Sequence, residues 1–396
     1  MTIKVLPGPK GPGLLIRVSE WIGPLPFRQS ALLFGLLIAF WFFGTNTLES
    51  MNRAGLTPGF GFLSQQANFE IGESVIAYRA GDSYGRALLA GLANTAKVAL
   101  FGCILATILG VTLGIARLAG NRLIAALIRG YVEILRGTPL LLQLFVWTGI
   151  FQSLPAPRNA VTVLDLAFLS NRGVFVPSVS IAGFSVFVWL PVLCLFAGGV
   201  ALAARRIFKE TNLYISKSLG LVAVSIGLPL AILAYIGHPP LIEVPARGGF
   251  NIRGGWSLTP EFAALLTGLT INASAMISEI VRSGIQSVQM GQWEAARALG
   301  LKPGQIMRLV VLPQALRVIT PLMTSSYLDL TKNSSLAVAI GFPDIVSVAN
   351  TTANTTGQVI ESIAIIMVVY LTVNLFVSAL MNQYNRKIAL KGAYPR

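Results

Sequence analysis

The sequence predicts an all-α polytopic membrane protein with about eight transmembrane helices. The prediction depends on composition, on long uncharged runs, and on the placement of Lys and Arg along the chain. Of 396 residues, 54% are hydrophobic and only 11% are charged, with a mean hydropathy of +0.71. Soluble domains carry about 25% charged residues, so this chain cannot cover a water-exposed surface.

Uncharged runs mark the expected helices. A transmembrane helix needs roughly 20 apolar residues. Such runs lie at 29–48, 98–116, 137–157, 173–204, 218–242, 262–278, 312–336 and 362–385. We expect the second helix to begin before Lys97 and the fourth to begin near Gly183, while Asp329 and Lys332 interrupt the seventh.

Lys and Arg set the orientation, because they are enriched in cytoplasmic loops. With a cytoplasmic N-terminus, the inside segments are 1–29, 117–137, 205–218, 282–317 and the stretch after 382. They hold 21 Lys and Arg residues against 8 outside, and Lys97 completes the 30. Both termini and the segment after the sixth helix are therefore predicted to be cytoplasmic.

The sequence lacks the residues that several other functions require. The net charge of +15 comes from basic residues at the ends of apolar runs, so membrane topology explains it better than nucleic-acid binding does. Cys103 and Cys194 lie inside apolar runs, and His238 is the only histidine. We expect no disulfide framework, metal site or catalytic residue. The G-x-x-x-x-G-K-[ST] pattern is absent, so ATP phosphates have no site on this chain.

The chain begins with a Pro/Gly-rich stretch, MTIKVLPGPKGPG, and its first apolar run starts near residue 29. This pattern does not resemble a cleavable signal peptide.

A mostly polar stretch, GQWEAARALGLKPGQIMRLVVLPQALRVITP at 291–321, separates two apolar runs. We expect Glu294 in the first turn of a short helix, where the helix dipole favours negative charge. Gly300 should end that helix, Pro303 should begin a second one, and Pro313 should mark the turn into the next span. Small residues allow another surface to approach closely: Ala295, Ala296 and Ala298. Physical chemistry alone allows either a docking hairpin or a linker lying on the membrane.

The spacing E-A-A, three residues, G, nine residues, an aliphatic residue, one residue, L-P resembles the signature loop of ABC importer permeases. The predicted coupling loop, 291–313, contains Gly291, Glu294, Ala295, Ala296, Gly300, Val310, Leu312 and Pro313, with Val310 where Ile is usual. In that family the loop fits a cleft of the ATP-hydrolysing subunit and passes the motion of ATP binding to the transmembrane helices.

Further motifs are similar to the polar amino-acid uptake branch of that family. They are RGTPLLLQLF at 136–145, SEIVRSGIQSVQMGQWEAARALG, VLPQALRVITP and LTKNSSL. In the first motif we expect Thr138 to cap a helix that Pro139 begins. The resemblance covers about residues 86–155 and 261–390, and the enlarged layout resembles the general L-amino-acid permeases of Gram-negative bacteria.

The resemblance implies a type I importer core of five helices, with one N-terminal and two inserted helices added. The expected segments are a cytoplasmic tail at 1–29, an extra helix with a periplasmic loop at 30–85, a first core segment at 86–155, an insertion with two helices at 156–260, and a second core segment at 261–390, which includes the cytoplasmic coupling loop 284–313. Two inserted helices preserve the sidedness of that loop, whereas one would invert it.

Charges within the spans are candidates for the translocation pathway, because burying a lone charge in a membrane is costly. Asp329 and Lys332 share a helix face and either line the pathway or pair with each other at the outer helix end. Lys97 either contacts substrate or snorkels to the interface. Glu279 and Arg282 have the same spacing at the inner end of the sixth helix, where they pair or anchor the loop.

Three other features carry expectations. Glu133 and Arg136 are expected to form a surface pair. Pro321 is expected to kink the seventh helix, and Gly110 with Gly114 forms a small-xxx-small pattern that allows close helix packing.

The resemblance implies a permease subunit of an ATP-driven importer that moves amino acids across the bacterial inner membrane by alternating access. It implies no cofactor on this chain, with ATP and Mg on partner ATPase subunits. It also implies a second related permease (a heterodimer, or else a homodimer), a periplasmic amino-acid-binding protein, and surrounding lipid. The alternative is an ion-coupled secondary transporter or a channel acting without an ATPase, and a membrane enzyme is disfavoured. The sequence does not name the amino acid.

Overall fold

The computed structural model describes residues 26–53, 55, 59–181, 184–185 and 241–390. The helices are α1 Pro26–Arg53, α2 Tyr84–Leu118, α3 Arg122–Gly137, α4 Leu140–Gln152, α5 Pro260–Gln286, α6 Met290–Ala298, α7 Pro303–Ile306, α8 Leu312–Asn333, α9 Ile345–Thr356 and α10 Val359–Leu390. A π segment, Met307–Val311, joins α7 to α8, and 3-10 turns cover Phe60–Ser64, Pro157–Asn159 and Ser334–Ile340.

Within these described ranges, five helices are long and apolar enough to cross a membrane: Gln29–Arg53, Tyr84–Leu118, Pro260–Gln286, Pro303–Ile340 and Val359–Asn385. The pair α3 and α4, bent by 107°, makes a sixth if it is one span. A mostly helical membrane fold is thereby confirmed. The fourth and fifth predicted helices, with Cys194 and His238, fall almost entirely outside the described residues, so the count of eight stays a prediction.

The predicted span 137–157 is too long, because its helix, α4, has only 13 residues, Leu140–Gln152, and the chain bends sharply just before it. Thr138 has extended backbone angles (φ −108°, ψ 134°), as expected for a residue before proline. Its hydroxyl does not cap α4. It donates to the carbonyl oxygen of Ile134 at 3.0 Å and accepts from the amide of Gln143 at 2.8 Å. Pro139 takes the N-cap position of α4, without a side-chain cap.

Glycines bring α2 and α5 together in the centre of the bundle. A Cβ on Gly110 would lie 2.6 Å from Ile277, and one on Gly114 would lie 2.8 Å from Val281. The close packing predicted from the small-xxx-small pattern is therefore confirmed. In contrast, the described side chains of α1 are mostly exposed, as are many of those on α10.

Short β-strands cover one end of the bundle. One sheet has the order β1-β2-β3-β9, a second has the order β5-β4-β6, and β7 pairs with β8. The strands are β1 Val161–Val163, β2 Ala167–Ser170, β3 Gly173–Val176, β4 Ser178–Ile181, β5 Phe184–Ser185, β6 Leu241–Glu243, β7 Ala246–Gly248, β8 Asn251–Arg253 and β9 Trp256–Leu258. In the second sheet β4 lies between β5 and β6, and Ser178 pairs with Glu243 in antiparallel register.

The β layer also fixes the start of α5. β9 ends at Leu258, and the next residue, Thr259, caps α5 by accepting a hydrogen bond from the backbone N–H of Phe262 at 3.2 Å. The other end of α5 leads into α6. The sheets and the predicted coupling loop therefore lie at opposite ends of this helix.

Candidate translocation cavity and coupling hairpin

The stretch 290–306 forms a helical hairpin. Gly300 has a left-handed backbone angle, φ +72°. Its N–H donates to the carbonyl of Arg297 at 2.9 Å, and the N–H of Leu301 donates to that of Ala296 at 3.3 Å. These two bonds form the Schellman motif that glycine favours, so the predicted stop at Gly300 is confirmed. The position predicted for Glu294 is wrong. The helix begins earlier, at Met290, which places Glu294 beyond its first turn.

One side of α6 attaches to the bundle, and the other is exposed. Ala296 is buried in the hydrophobic core that the bundle helices share, and Trp293 is half-buried against it. Glu294, Ala295 and Ala298 are exposed, as is Leu299 at 80%. The three alanines predicted to form one face therefore lie on two sides of α6, because Ala296 packs inward while Ala295 and Ala298 are exposed. We call Glu294, Ala295, Ala298 and Leu299 the hairpin face.

The hairpin is continuous with the next span, which corrects the turn expected at Pro313. The N–H of Leu312 donates to the carbonyl of Met307, five residues earlier, in the wider π-helical turn. Proline lacks an N–H and its ring clashes with the preceding helical turn, so a wider turn accommodates it without ending the helix. The π segment therefore joins α7 and α8 into one span, Pro303–Ile340, in which Pro321 is also helical.

An ion cluster ties α2 to α5 near the hairpin. Glu279 pairs with Arg282, as the spacing allows, and also with Arg117 of α2 at 2.6 Å. The contact with Arg117 was missed because its partner lies on another helix, where sequence spacing gives no signal. The loop-anchor role of Glu279 and Arg282 stays a prediction.

A cavity of about 450 Å³ lies between α5 and α8. Its lining on α5 recurs every three to four residues, which defines one helix face. The polar and charged lining residues are Arg136, Asn272, Glu279, Ser283, Ser325, Ser326, Asp329, Lys332 and Asn333. The predicted pathway residues included Asp329 and Lys332, whereas Glu279 was predicted only as a loop anchor, and Asn272 and the serines were missed. Asn272 lies seven residues before Glu279, about two helical turns away, so the two residues share a helix face. This spacing was the available signal in the sequence.

Asp329 and Lys332 do not pair with each other. Both are exposed, and neither has an ion pair or side-chain hydrogen bond to another residue in the described ranges. Arg136 is also exposed at this cavity and is not paired with Glu133, so the expected surface pair is wrong. Among the residues that the structure describes, the cavity therefore presents two free cationic groups and one free carboxylate.

Lys97 lies elsewhere, in the outer region of the bundle. Its ammonium pairs with Glu73, with 11% of each side chain exposed, and lies 4.0 Å from the ring centre of Phe262. It is absent from the cavity lining. A buried ion pair thus replaces the expected snorkelling, and a contact of Lys97 with substrate stays a prediction.

Asp344, at the start of α9, is a further buried charge that sequence reasoning missed. Only 1% of it is exposed, and its Oδ1 accepts the N–H of Ser347 at 2.8 Å as an N-cap. Burial raises the pKa of this carboxyl to about 7. Across the described stretches of the chain, no group of three or more His, Cys, Asp or Glu residues is arranged to hold a metal ion.

Comparison with known proteins identifies the family. Residues 218–390 match the family described as binding-protein-dependent transport system inner membrane component. YhdX of Escherichia coli (strain K12), which carries the provisional name of an amino-acid ABC transporter permease protein, is 45% identical over 94% of this chain and 95% of its own. The general L-amino acid transport system permease protein AapQ of Rhizobium johnstonii is 42% identical over 90% of each chain.

A third relative is the glutamate/glutamine/aspartate/asparagine transport system permease protein BztB of Rhodobacter capsulatus. It is 34% identical over 95% of this chain and 97% of its own. These matches confirm the resemblance found in the motifs. The chain therefore belongs to the binding-protein-dependent transport system inner membrane components, as a permease subunit of an ABC importer.

Proposed function

We propose that this permease moves amino acids across the bacterial inner membrane by alternating access, with the cavity between α5 and α8 on its pathway. The observation that carries the proposal is the mixed charge of that cavity. Arg136 and Lys332 suit the carboxylate of an amino acid, and Asp329 suits its ammonium group. The volume of about 450 Å³ falls within the range of about 300–1,000 Å³ typical of small-molecule sites.

Energy is supplied by separate ATPase subunits, which bind ATP and Mg. The sequence carries no phosphate-binding G-x-x-x-x-G-K-[ST] pattern of its own. The hairpin face is the docking surface, because it leaves Glu294 and Leu299 exposed while Ala296 fixes α6 to the bundle. Closure of the ATPase subunits on ATP pushes the hairpin.

The hairpin then moves α8, since the π segment makes them one continuous element. Asp329 and Lys332 lie on α8, whereas Asn272 and Glu279 face them from α5. Sliding of α8 along α5 therefore changes the cavity itself and opens it outward. Hydrolysis of ATP lets the hairpin return and resets the cavity.

We also infer a binding position on the bundle for each of the other partners. A periplasmic amino-acid-binding protein delivers substrate at the sheet end, and the second related permease packs against exposed helix faces as a heterodimer or a homodimer. The excess of Lys and Arg in inside segments supports cytoplasmic termini.

Reconstitution in proteoliposomes tests the proposal. The chain is co-purified with its ATPase and second permease, and ATP-dependent uptake of labelled L-amino acids is measured. We expect Asp329→Asn to lower uptake by about tenfold, a loss of about 1.4 kcal/mol, while the complex still assembles. The matched control is Glu49→Gln on α1, whose side chain is 66% exposed and does not line the cavity.

Unchanged uptake of every amino acid by Asp329→Asn would remove this residue from the pathway. Uptake driven by a proton or sodium gradient, in the absence of any ATPase, would instead support the alternative of a secondary transporter.

A further inference from the structure

The break between α3 and α4 is held by one amide side chain. In a membrane, each unsatisfied backbone group costs several kcal/mol, so the carbonyls freed at a broken helix need donors. The Nε2 of Gln143 lies 2.9 Å from the carbonyl oxygen of Leu135 and 3.1 Å from that of Thr138. Gln143 is buried, with 8% exposed. This amide therefore fixes the turn from inside the protein.

Asn272 of α5 reaches the same joint from the cavity side. Its Nδ2 lies 3.5 Å from the carbonyl oxygen of Leu135 and 3.4 Å from Oε1 of Gln143. Typical N–H···O bonds measure about 2.9–3.0 Å between heavy atoms, so Asn272 holds the joint weakly. Its side chain is half-buried and lines the cavity. It is therefore placed to exchange these long bonds for better ones to a solute.

Residues on both sides of the break also line the cavity. Arg136 lies in the last turn of α3, and Leu140 is the first residue of α4. A solute that contacts both residues spans the 107° bend. Its binding energy can then act on the angle between the two helices.

We propose that Asn272 is a positioning residue that couples occupation of the cavity to the angle of the break. In the substrate-free transporter its amide restrains the joint through Leu135 and Gln143. The amide turns to the carboxylate of a bound amino acid, which leaves Gln143 alone to hold the joint and widens the range of angles between α3 and α4. The inference rests on the proposed function in taking an amino acid as the occupant.

The test compares the assembled transporter in lipid nanodiscs with its Asn272→Ala and Asn272→Gln variants. ATPase rates are measured without substrate and with a mixture of L-amino acids and the binding protein, over a range of concentrations. We expect Asn272→Ala to raise the substrate-free rate toward the stimulated rate, so that stimulation falls by about fivefold, as loss of weak hydrogen bonds predicts. Asn272→Gln keeps the donor and should restore some of the stimulation.

The control is Asn46→Ala, which removes an exposed amide on α1 that does not line the cavity, and it should match the wild type. If Asn272→Ala raises only the amino-acid concentration needed for half-maximal stimulation, and both limiting rates are unchanged, Asn272 is a substrate contact and the coupling role is wrong.

A distance measurement separates this inference from the proposed function. Spin labels at Leu127→Cys on α3 and Leu142→Cys on α4, both well exposed, report the angle of the break without any substrate. We expect Asn272→Ala to broaden or shift the distance distribution. An unchanged distribution would overturn the inference even if the wild type transports amino acids. A wild type that no amino acid stimulates would contradict the proposed function, while a shifted distribution would still support the restraint by Asn272.

Discussion

Lys97 and Glu73 form an ion pair at the outer end of the bundle, and 11% of each side chain is exposed. The ring centres of Phe262 and Trp256 lie 4.0 and 4.9 Å from the ammonium. Removing one partner of a buried pair leaves the other charge without compensation, which typically destabilises a protein by about 3–5 kcal/mol.

Lys97→Met should therefore lower the thermal unfolding temperature of the purified chain markedly. The exposed pair of Glu49 and Arg53, with 66% and 82% of the side chains exposed, provides the control. Exposed pairs contribute about 0–1 kcal/mol, so Arg53→Met should change the unfolding temperature little. Equal effects of the two variants would show that the Lys97 pair does not stabilise the fold. Adding Glu73→Gln to Lys97→Met should recover some of the loss.

Gly110→Val should destabilise the packing of α2 on α5. Its Cβ would lie 2.6 Å from Ile277 and 2.9 Å from the carbonyl oxygen of Ser274, and overpacking a core typically costs about 1–3 kcal/mol. Gly35 of α1 has no neighbour within 4 Å of the same position, so Gly35→Val is the control. Thermal unfolding in detergent compares them. A Gly110 variant as stable as the Gly35 variant would contradict the close contact.

Glu294→Lys should impair assembly with the ATPase while leaving the folding of the chain unchanged. The side chain is exposed, and no ion pair to it occurs within the described residues, so we expect an unchanged unfolding temperature. Co-purification of the ATPase should fall by at least about tenfold, or about 1.4 kcal/mol, because the charge is reversed on the hairpin face. Glu49→Lys on α1 is the control, and it should co-purify with the ATPase as well as the wild type does. Normal recovery of ATPase with Glu294→Lys would remove this residue from the docking surface.

The buried carboxyl of Asp344 should make stability depend on pH. Its folded pKa, raised to about 7 by burial, lies above its unfolded value, so the folded state binds the proton more tightly. This contribution is fully present below about pH 4 and is lost as the pH rises through 7. Asp344→Asn keeps an N-cap acceptor and removes the charge. The variant should match the wild type at pH 4 and unfold at a higher temperature at pH 8.

The pH effect is measured as the difference in unfolding temperature between Asp344→Asn and the wild type, so that other carboxyls cancel. A constant difference from pH 4 to pH 8 would show that Asp344 titrates normally.

Local patterns allowed the sequence to predict much of the fold. Apolar runs located the spans because a membrane helix has a minimum length, and Gly300 located the end of α6 because a left-handed residue there favours glycine. Asp329 and Lys332 were recognised as cavity candidates because charges are rare within spans. Each of these signals lies within a few neighbouring residues.

Contacts between distant residues could not be predicted in this way. Glu73 and Lys97 lie 24 positions apart in the sequence, and Gln143 and Asn272, on different helices, lie 129 positions apart. A helix start beside Pro139 was predicted, but the 107° bend between α3 and α4 was missed because hydropathy does not report the angle between two helices. The π segment before Pro313 was missed because a proline after an apolar stretch equally predicts a turn.

The most direct test of the central claim is crosslinking from the hairpin face to the ATPase subunit. Leu299→Cys, at a site 80% exposed, and Leu164→Cys, at a site 87% exposed in the turn between β1 and β2, are compared in inverted membrane vesicles with a short thiol crosslinker. We predict that Leu299→Cys crosslinks to the ATPase with a yield that changes when ATP is added, and that Leu164→Cys does not. A Leu299→Cys thiol that reacts only with reagents on the periplasmic side would contradict the account.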